Sequence, residues 1–274
     1  MGACPRAIRR FHKEDRLPKI IYAALSDAMG YARNQDAMLV ANRVWQGESV
    51  CLTGACSLED RAVFACADGL HVGFGATWAS RTLLQGVQES YVRFPDWPVA
   101  KRVAWLQAFL TEQGAETPHA GTASTLVCAE VRGCHVQLFH VGDSRAWSIH
   151  EGRATLLTTD HPHGASLREA ILSSGRHTAD LASIYDALVG YFLVGPHADA
   201  PQVVARSFTM DPGDSLMLGT DGVSHLDLTE IAALAAGLGP QDTAASFLDR
   251  SLPVIRRPEE GNDNRSAIMI GWRA

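Results

Sequence analysis

The chain has 274 residues, of which 46% are hydrophobic and 20% are charged, as is ordinary for a globular protein that buries a large core in one big domain or two small ones. The net charge of −6 argues against nucleic acid as the main partner, because binding to a phosphate backbone needs a basic surface. The six cysteines are scattered without a C-x-x-C pair, and no secretory or membrane-length apolar run is present, so we expect a reducing, cytoplasmic location.

The first twenty residues are basic, and we expect residues 1–20 to form a solvated N-terminal arm, with one domain over residues 21–274. Apolar runs and alternations predict strands near residues 37–41, 62–67, 124–131, 135–141, 146–150, 154–157, 202–208, 215–218 and 266–272. Helical spacing predicts helices near residues 77–92, 100–112, 229–238 and 242–252. Residues 164–180 are polar, as an excursion or flap would be. The consecutive strands of the second half indicate an antiparallel meander, so we predict an α+β domain with helices covering stacked antiparallel sheets.

Several aspartates occur where a predicted strand meets a turn. A lone Asp-Gly pair most often marks only a turn, so the hypothesis of a site depends on the whole set. The set consists of Asp36, Asp68, Asp221 and Asp263, with Asp143 as a fifth. Aspartate is short and its oxygens suit Mg²⁺ or Mn²⁺, and the carbonyl of Gly69, directly after Asp68, can itself be a ligand. Collected in one place, these groups would make an all-oxygen site for divalent cations.

Two such cations about 3.5–4 Å apart would deprotonate a bridging water and neutralise a phosphoryl group as it is attacked. The sequence contains no Walker A loop, H-E-x-x-H helix, G-x-S-x-G elbow or G-x-G-x-x-G after a strand that would compete with this interpretation.

The ordered motifs resemble those of the metal-dependent serine/threonine phosphatases of the protein phosphatase 2C (PPM) family, of bacterial type. The matching segments are Asn34–Ala37, Asp68–Gly69 with Ala79–Ser80, Gly121–Leu126, Val141–Ala146, Leu157–His161, Pro212–Val223 and Asp263–Ser266. Val141–Ala146 is a full match to the V-G-D-S-R-A motif of the family, and the matches follow the family's order from about Ser26 to Trp272.

This resemblance implies a four-layer αββα sandwich, in which two antiparallel sheets are flanked by helices. It implies that Asp36, Asp68, the Gly69 carbonyl, Asp221 and Asp263 hold two Mn²⁺ or Mg²⁺ ions, and that Asp143 serves a third, weaker one. A water bridging two metal ions would hydrolyse phosphoserine or phosphothreonine in proteins, without a phosphoenzyme. The family's flap would fall around residues 164–184. The partners would be phosphoproteins, opposite a serine/threonine kinase, and we expect a monomer without a membrane span.

Three departures from the family's pattern affect the site. His71 stands two places closer to Asp68 than the family's histidine, so it is either the acid that protonates the leaving oxygen or a partner of other site groups. Tyr31 occupies the place of the phosphate-binding arginine, while Arg33 could reach a phosphate or form a surface ion pair. His225 stands where the family often has an acid for the third metal, and Asp227 follows two residues later.

We therefore hold two hypotheses of different classes. The first is an active metal-dependent phosphatase, which retention of the core carboxylates favours. The alternative is a catalytically weak or inactive relative that acts as a phosphoprotein-binding signalling module, which the altered histidine and arginine keep open. A metal-dependent phosphodiesterase or nuclease is disfavoured by the acidic balance and by the V-G-D-S-R-A match.

Overall fold

A computed structural model of the chain describes residues 19–70, 75–114, 117–161, 190–195, 198–238, 250–251, 253–257 and 263–273. The strands are β1 Lys19–Asp27, β2 Asp36–Val40, β3 Arg43–Trp45, β4 Ser49–Ser57, β5 Arg61–Leu70, β6 Ala123–Ser124, β7 Leu126–Arg132, β8 His135–Val141, β9 Arg145–His150, β10 Arg153–Leu156, β11 Phe192–Leu193, β12 Val204–Thr209, β13 Ser215–Gly219 and β14 Arg265–Arg273. The helices are α1 Gly75–Arg93, α2 Val99–Gly114 and α3 Leu228–Ala236, with a 3₁₀ turn over Asp221–Val223.

The strands form two antiparallel sheets. The first has six strands in the order β10-β9-β13-β14-β1-β4. The second has eight: its main path is β11-β6-β5-β7-β8-β12, and β2 pairs with both β5 and β3. The long central pair of the first sheet, β1 and β14, runs in register from Lys19 opposite Arg273 to Asp27 opposite Arg265.

Alternation along the strands builds three apolar layers. In β2, Met38 faces the core between the two sheets, and its neighbour Leu39 faces the core under α1 and α2. In β13, Leu216 faces the first of these cores, and Met217 packs towards α3 in a third. Helices therefore cover the outer faces of both sheets, and the fold is the α+β, four-layer αββα sandwich that the sequence predicted.

Most of the predicted elements are confirmed. Helices α1 and α2 begin and end within two residues of the predicted bounds, and α3 begins one residue before the predicted start and ends two residues earlier than predicted. Strands β1, β3, β4 and β11 were not predicted as strands, and the strand predicted over 124–131 is divided between β6 and β7. In β4, exposed and half-buried residues follow one another along an edge strand, so its sequence lacks a continuous buried face.

Some predictions fall outside the described residues: most of the basic arm, the flap over residues 164–184 and most of the helix predicted at 242–252. The division at residue 20 stays a prediction, with β1 beginning at Lys19. Within the described part of the chain, none of the helices has both the length and the apolar character needed to cross a membrane.

Candidate functional site

The predicted aspartates lie where the ends of several strands from both sheets meet. Asp36 is the first residue of β2 and stands directly opposite Asp68 of β5. Asp68 was expected at the end of its strand, but β5 continues to Leu70, so Asp68 and Gly69 lie within the paired region. Asp221 begins the 3₁₀ turn after β13, and Asp263 lies two residues before β14.

Four of these aspartates lie close enough to the fifth, Asp68, to influence its ionisation. The pKa of Asp68 is raised well above its ordinary value by burial and then by the negative charges of Asp221, Asp36, Asp263 and Asp143. Burial also raises the pKa of Asp36, from 3.8 to about 7, against the opposing effect of hydrogen bonds from Thr220 and Ser266. The structure thus brings together all five aspartates that the sequence singled out.

Thr220 joins the two sheets at this point. Its hydroxyl donates to Asp36 Oδ2 at 2.8 Å and accepts from the Ser266 N–H at 3.1 Å. Because Thr220 follows β13 and Asp36 opens β2, this bond fixes the position of the Asp36 carboxylate relative to the other sheet. Thr220 lies in the Pro212–Val223 segment that resembles the family motif, but the motif alone indicates no role for it.

Asn264 forms a second link between distant segments. Its Oδ1 accepts from the Gln35 N–H at 2.6 Å, and its Nδ2 donates to the Ala28 carbonyl at 3.0 Å. Its neighbour Asp263 is thereby held beside the start of β2. The position of Asn264 next to Asp263 in the D-N motif was the only signal for this role in the sequence.

Asn34 and Gln46 fix the backbone that leads into Asp36. Asn34 Oδ1 accepts from the Asp36 N–H at 3.0 Å, and its Nδ2 donates to Ser26 Oγ at 2.8 Å. Gln46 Nε2 donates to the Asp36 carbonyl at 3.2 Å and to the Thr77 carbonyl at 3.0 Å, which ties this segment to α1. Nothing in the sequence pointed to Gln46.

Asp143 lies in the turn between β8 and β9, and this turn is tied to Asp68. The hydroxyls of Ser144 and Thr125 share a hydrogen bond of 2.8 Å. Thr125 Oγ1 also accepts from the Asp68 N–H at 2.9 Å. One threonine hydroxyl therefore connects the backbone of Asp68 with the residue next to Asp143.

The structure shows the surroundings of some of the residues at which the chain departs from the family pattern. His71 lies outside the described residues, so its predicted role stays a prediction. Arg33 is exposed, and Tyr31 is 50% exposed beside it. His225 Nδ1 lies 3.1 Å from the Gly222 carbonyl, while Asp227 serves as the N-cap of α3 in a capping box.

The donor atoms of the cluster suit a hard divalent cation. They are carboxylate oxygens, and the buried Oδ1 of Asp36 accepts no hydrogen bond from the described residues. Among the described residues, no three His, Cys, Asp or Glu side chains converge closely enough to hold one ion as they stand. Mutual repulsion of like charges keeps carboxylates apart, and a divalent cation removes that repulsion.

Comparison with known proteins finds similarity in sequence and in fold. The family model described as "Protein phosphatase 2C" matches residues 32–264. A protein of Streptococcus pyogenes serotype M6, assigned to the 2C type of protein phosphatases, is 29% identical over 89 residues, which are 32% of this chain and only 34% of that relative.

Two solved structures of similar fold are bacterial serine/threonine phosphatases. That of S. agalactiae is 18% identical, with a TM-score of 0.63 over 92% of this chain and 99% of its own. PstP/Ppp of Mycobacterium tuberculosis is 20% identical, with a TM-score of 0.62 over 93% of this chain and 100% of its own. Because the family model covers most of the sequence, this chain belongs to the protein phosphatase 2C family.

Proposed function

We propose that this protein hydrolyses phosphoserine or phosphothreonine in other proteins with the help of divalent cations. The observation that supports this best is the group of five aspartates from both sheets, in which the negative charges of four raise the pKa of the fifth, Asp68. Such a concentration of acidic side chains at the meeting point of strand ends is unfavourable by itself, and it suits a site that is completed by cations.

The proposed ligands are Asp36, Asp68, Asp221, Asp263 and the Gly69 carbonyl, with Asp143 serving a further, weaker ion. A solved structure of the PstP catalytic domain, 22% identical to this chain, is described as a complex with two manganese ions. We propose two Mn²⁺ or Mg²⁺ ions here, which when bound would supply an activated water nucleophile and neutralise charge on the phosphoryl group.

The chain's own residues would hold the site in a fixed geometry. Thr220 donates to Asp36 and so leaves the other oxygen of that carboxylate available to a ligand. Preorganised groups of this kind need little rearrangement during the reaction. Arg33, exposed three residues before Asp36, would bind the substrate phosphate through its planar guanidinium. His71 would either protonate the leaving serine or threonine oxygen or hydrogen-bond to a site group.

The proposed substrates are phosphorylated proteins, opposite a serine/threonine kinase. We also propose a cytoplasmic location, which the free thiols of Cys51, Cys56, Cys66, Cys128 and Cys134 favour, and a monomeric state.

The test is release of phosphate from a phosphothreonine peptide, with Mn²⁺ and then with EDTA. Asp221→Asn removes a ligand charge while keeping the side-chain shape, and it should lower turnover by about 10²-fold or more. Asp60→Asn is the matched control, because Asp60 is exposed in the β4–β5 turn, and it should stay within about twofold of the wild-type rate.

Three outcomes would decide between the hypotheses. Turnover that depends on Mn²⁺ and is lost only in Asp221→Asn supports the proposal. Undiminished turnover in Asp221→Asn means that the metal ligands are assigned wrongly. Binding of Mn²⁺ and of the phosphopeptide without release of phosphate indicates the alternative, a signalling module that binds phosphoproteins.

A further inference from the structure

The turn that carries Asp143 is held from outside by the segment that follows β10. Arg145 donates from Nε and Nη2 to the two oxygens of Asp160, at 3.0 and 2.7 Å. The next residue, His161, bonds to the other side of the turn, at Gly142. The two consecutive residues Asp160 and His161 therefore hold both flanks of Asp143.

His161 makes two hydrogen bonds to one residue. Its backbone N–H donates to the Gly142 carbonyl at 3.2 Å, and the Gly142 N–H donates to Nδ1 of the His161 imidazole at 3.1 Å. Because Nδ1 accepts, the ring is neutral and carries its proton on Nε2. Burial and the neighbouring His140 lower the pKa of His161, which favours this neutral form.

Gly142 needs such support because its backbone is in an uncommon conformation. Its φ of +101° is in the region that favours glycine, and an added Cβ would stand 2.8 Å from Thr125 Cγ2. The turn is thus packed against Thr125 on one side and bonded to His161 on the other. Since Thr125 also binds the Asp68 backbone, a shift of Gly142 would move Asp143 relative to Asp68.

We propose that His161 is a positioning residue for Asp143: by accepting the Gly142 N–H it fixes the turn so that the Asp143 carboxylate stays beside Asp68, and it thereby sets the affinity of the divalent cation that Asp143 holds. This inference rests on the proposed function in requiring a cation at the site. It assigns no contact between His161 and the substrate.

A purely structural role for the ring is the competing explanation, because His161 stacks on His140 at 5.3 Å and would lie 2.7 Å from a Cβ added at Gly190. Two variants separate the roles. His161→Phe keeps an aromatic ring and removes the acceptor. His161→Asn removes the ring and keeps an acceptor, since its Oδ1 stands at the same distance from Cβ as Nδ1 does.

The experiment is a Mn²⁺ titration of the full chain, by calorimetry and by the electron spin resonance of free Mn²⁺, with phosphate release measured in parallel. His161→Phe should lower the affinity for the cation that depends on Asp143 by about 10-fold, as is typical when a residue that orients a metal ligand is lost. His161→Asn should stay within about threefold of the wild type. In the Asp143→Asn background, His161→Phe should cause no further loss, because its effect passes through Asp143. His135→Ala, at an exposed position of β8, is the control.

The inference is overturned if His161→Phe leaves the Mn²⁺ isotherm unchanged, if His161→Asn binds as weakly as His161→Phe, or if the loss in His161→Phe persists undiminished with Asp143→Asn. Should His161→Phe not fold, His161→Gln takes its place, because its acceptor stands at the position of Nε2 and does not match Nδ1. A normal pattern of isotherms without phosphate release would refute the proposed function and leave the inference standing, whereas a wild-type chain that binds no Mn²⁺ would refute both.

Discussion

The substitution Asp36→Asn tests the electrostatics of the cluster without relying on catalysis. Asp36 is 1% exposed, and burial raises its pKa from 3.8 to about 7 in the absence of cations. Asparagine keeps an oxygen that can accept the hydrogen bond from Thr220, while it removes the ionisable group. The comparison therefore isolates the cost of a buried negative charge at Asp36, where burial and the charge of Asp263 both oppose ionisation.

The direction of the effect follows from where the proton is held. The unfolded chain releases the proton of Asp36 near pH 4, whereas the folded protein without cations keeps it until about pH 7. In this interval the folded state binds more protons than the unfolded state, so the free energy of unfolding falls as pH rises. The pKa difference of about three units corresponds to at most ~4 kcal/mol of stability. This stability is fully present below about pH 4 and fully lost above about pH 7.

Urea unfolding in EDTA at pH 5 and at pH 8 measures this difference. We expect the wild type to lose more stability between the two values than Asp36→Asn does, by about 1–3 kcal/mol because part of the shift lies below pH 5. Excess Mn²⁺ should stabilise the wild type at pH 8 and have a much smaller effect on Asp36→Asn, since a ligand that binds the native state raises its stability. Equal pH dependence in the two proteins would refute the reasoning, and Asp60→Asn should behave as the wild type.

Two further substitutions test other parts of the structure. Gly222→Ala would bring a Cβ to 2.0 Å from the Asn264 carbonyl oxygen, so we expect a lower melting temperature in thermal unfolding and loss of the Mn²⁺-dependent phosphate release. Arg102→Met should lower the free energy of urea unfolding by about 2–3 kcal/mol, because the fully buried guanidinium donates to Ser90 Oγ at 2.8 Å and to the Phe94 carbonyl at 3.0 Å. Its Mn²⁺ dependence should be unchanged, since these partners lie near the C-terminal end of α1, about 20 Å along the helix from its site end. A changed Mn²⁺ dependence in Arg102→Met, or normal activity in Gly222→Ala, would contradict the respective argument.

The sequence predicted those elements whose buried residues form a continuous apolar run or recur at a regular spacing. β2 was predicted because an apolar run follows Asp36, and every residue of this strand is buried. α1 was predicted because its apolar residues recur at helical spacing, and Leu83 and Val87 are indeed buried. β4 was missed because it is an edge strand whose exposed positions include the apolar residues Cys51 and Ala55, so the alternation in its burial does not show as an alternation of polar and apolar residues in the sequence.

The same distinction applies to the site. The five aspartates could be predicted because each occurs in a recognisable local motif. The residues that connect them could not, since their contacts join positions far apart in the chain: the Thr220 hydroxyl and Asp36 are 184 residues apart, and Asn264 and the Gln35 N–H are 229 apart. A serine, threonine or asparagine side chain has the same local appearance whether it faces solvent or bridges two sheets.

These hydrogen bonds also explain how the chain tolerates a cluster of buried carboxylates whose ionisation burial disfavours. Hydrogen bonds from Thr220 and Ser266 lower the pKa of Asp36, against the larger effect of burial that raises it. The offset is incomplete, so in the absence of cations the cluster remains a source of instability within an otherwise well-packed sandwich. Cations bound at this site would neutralise the remaining unfavourable negative charge, and their binding energy would add to the stability of the fold. The melting temperature of the protein should therefore report the occupancy of the site directly.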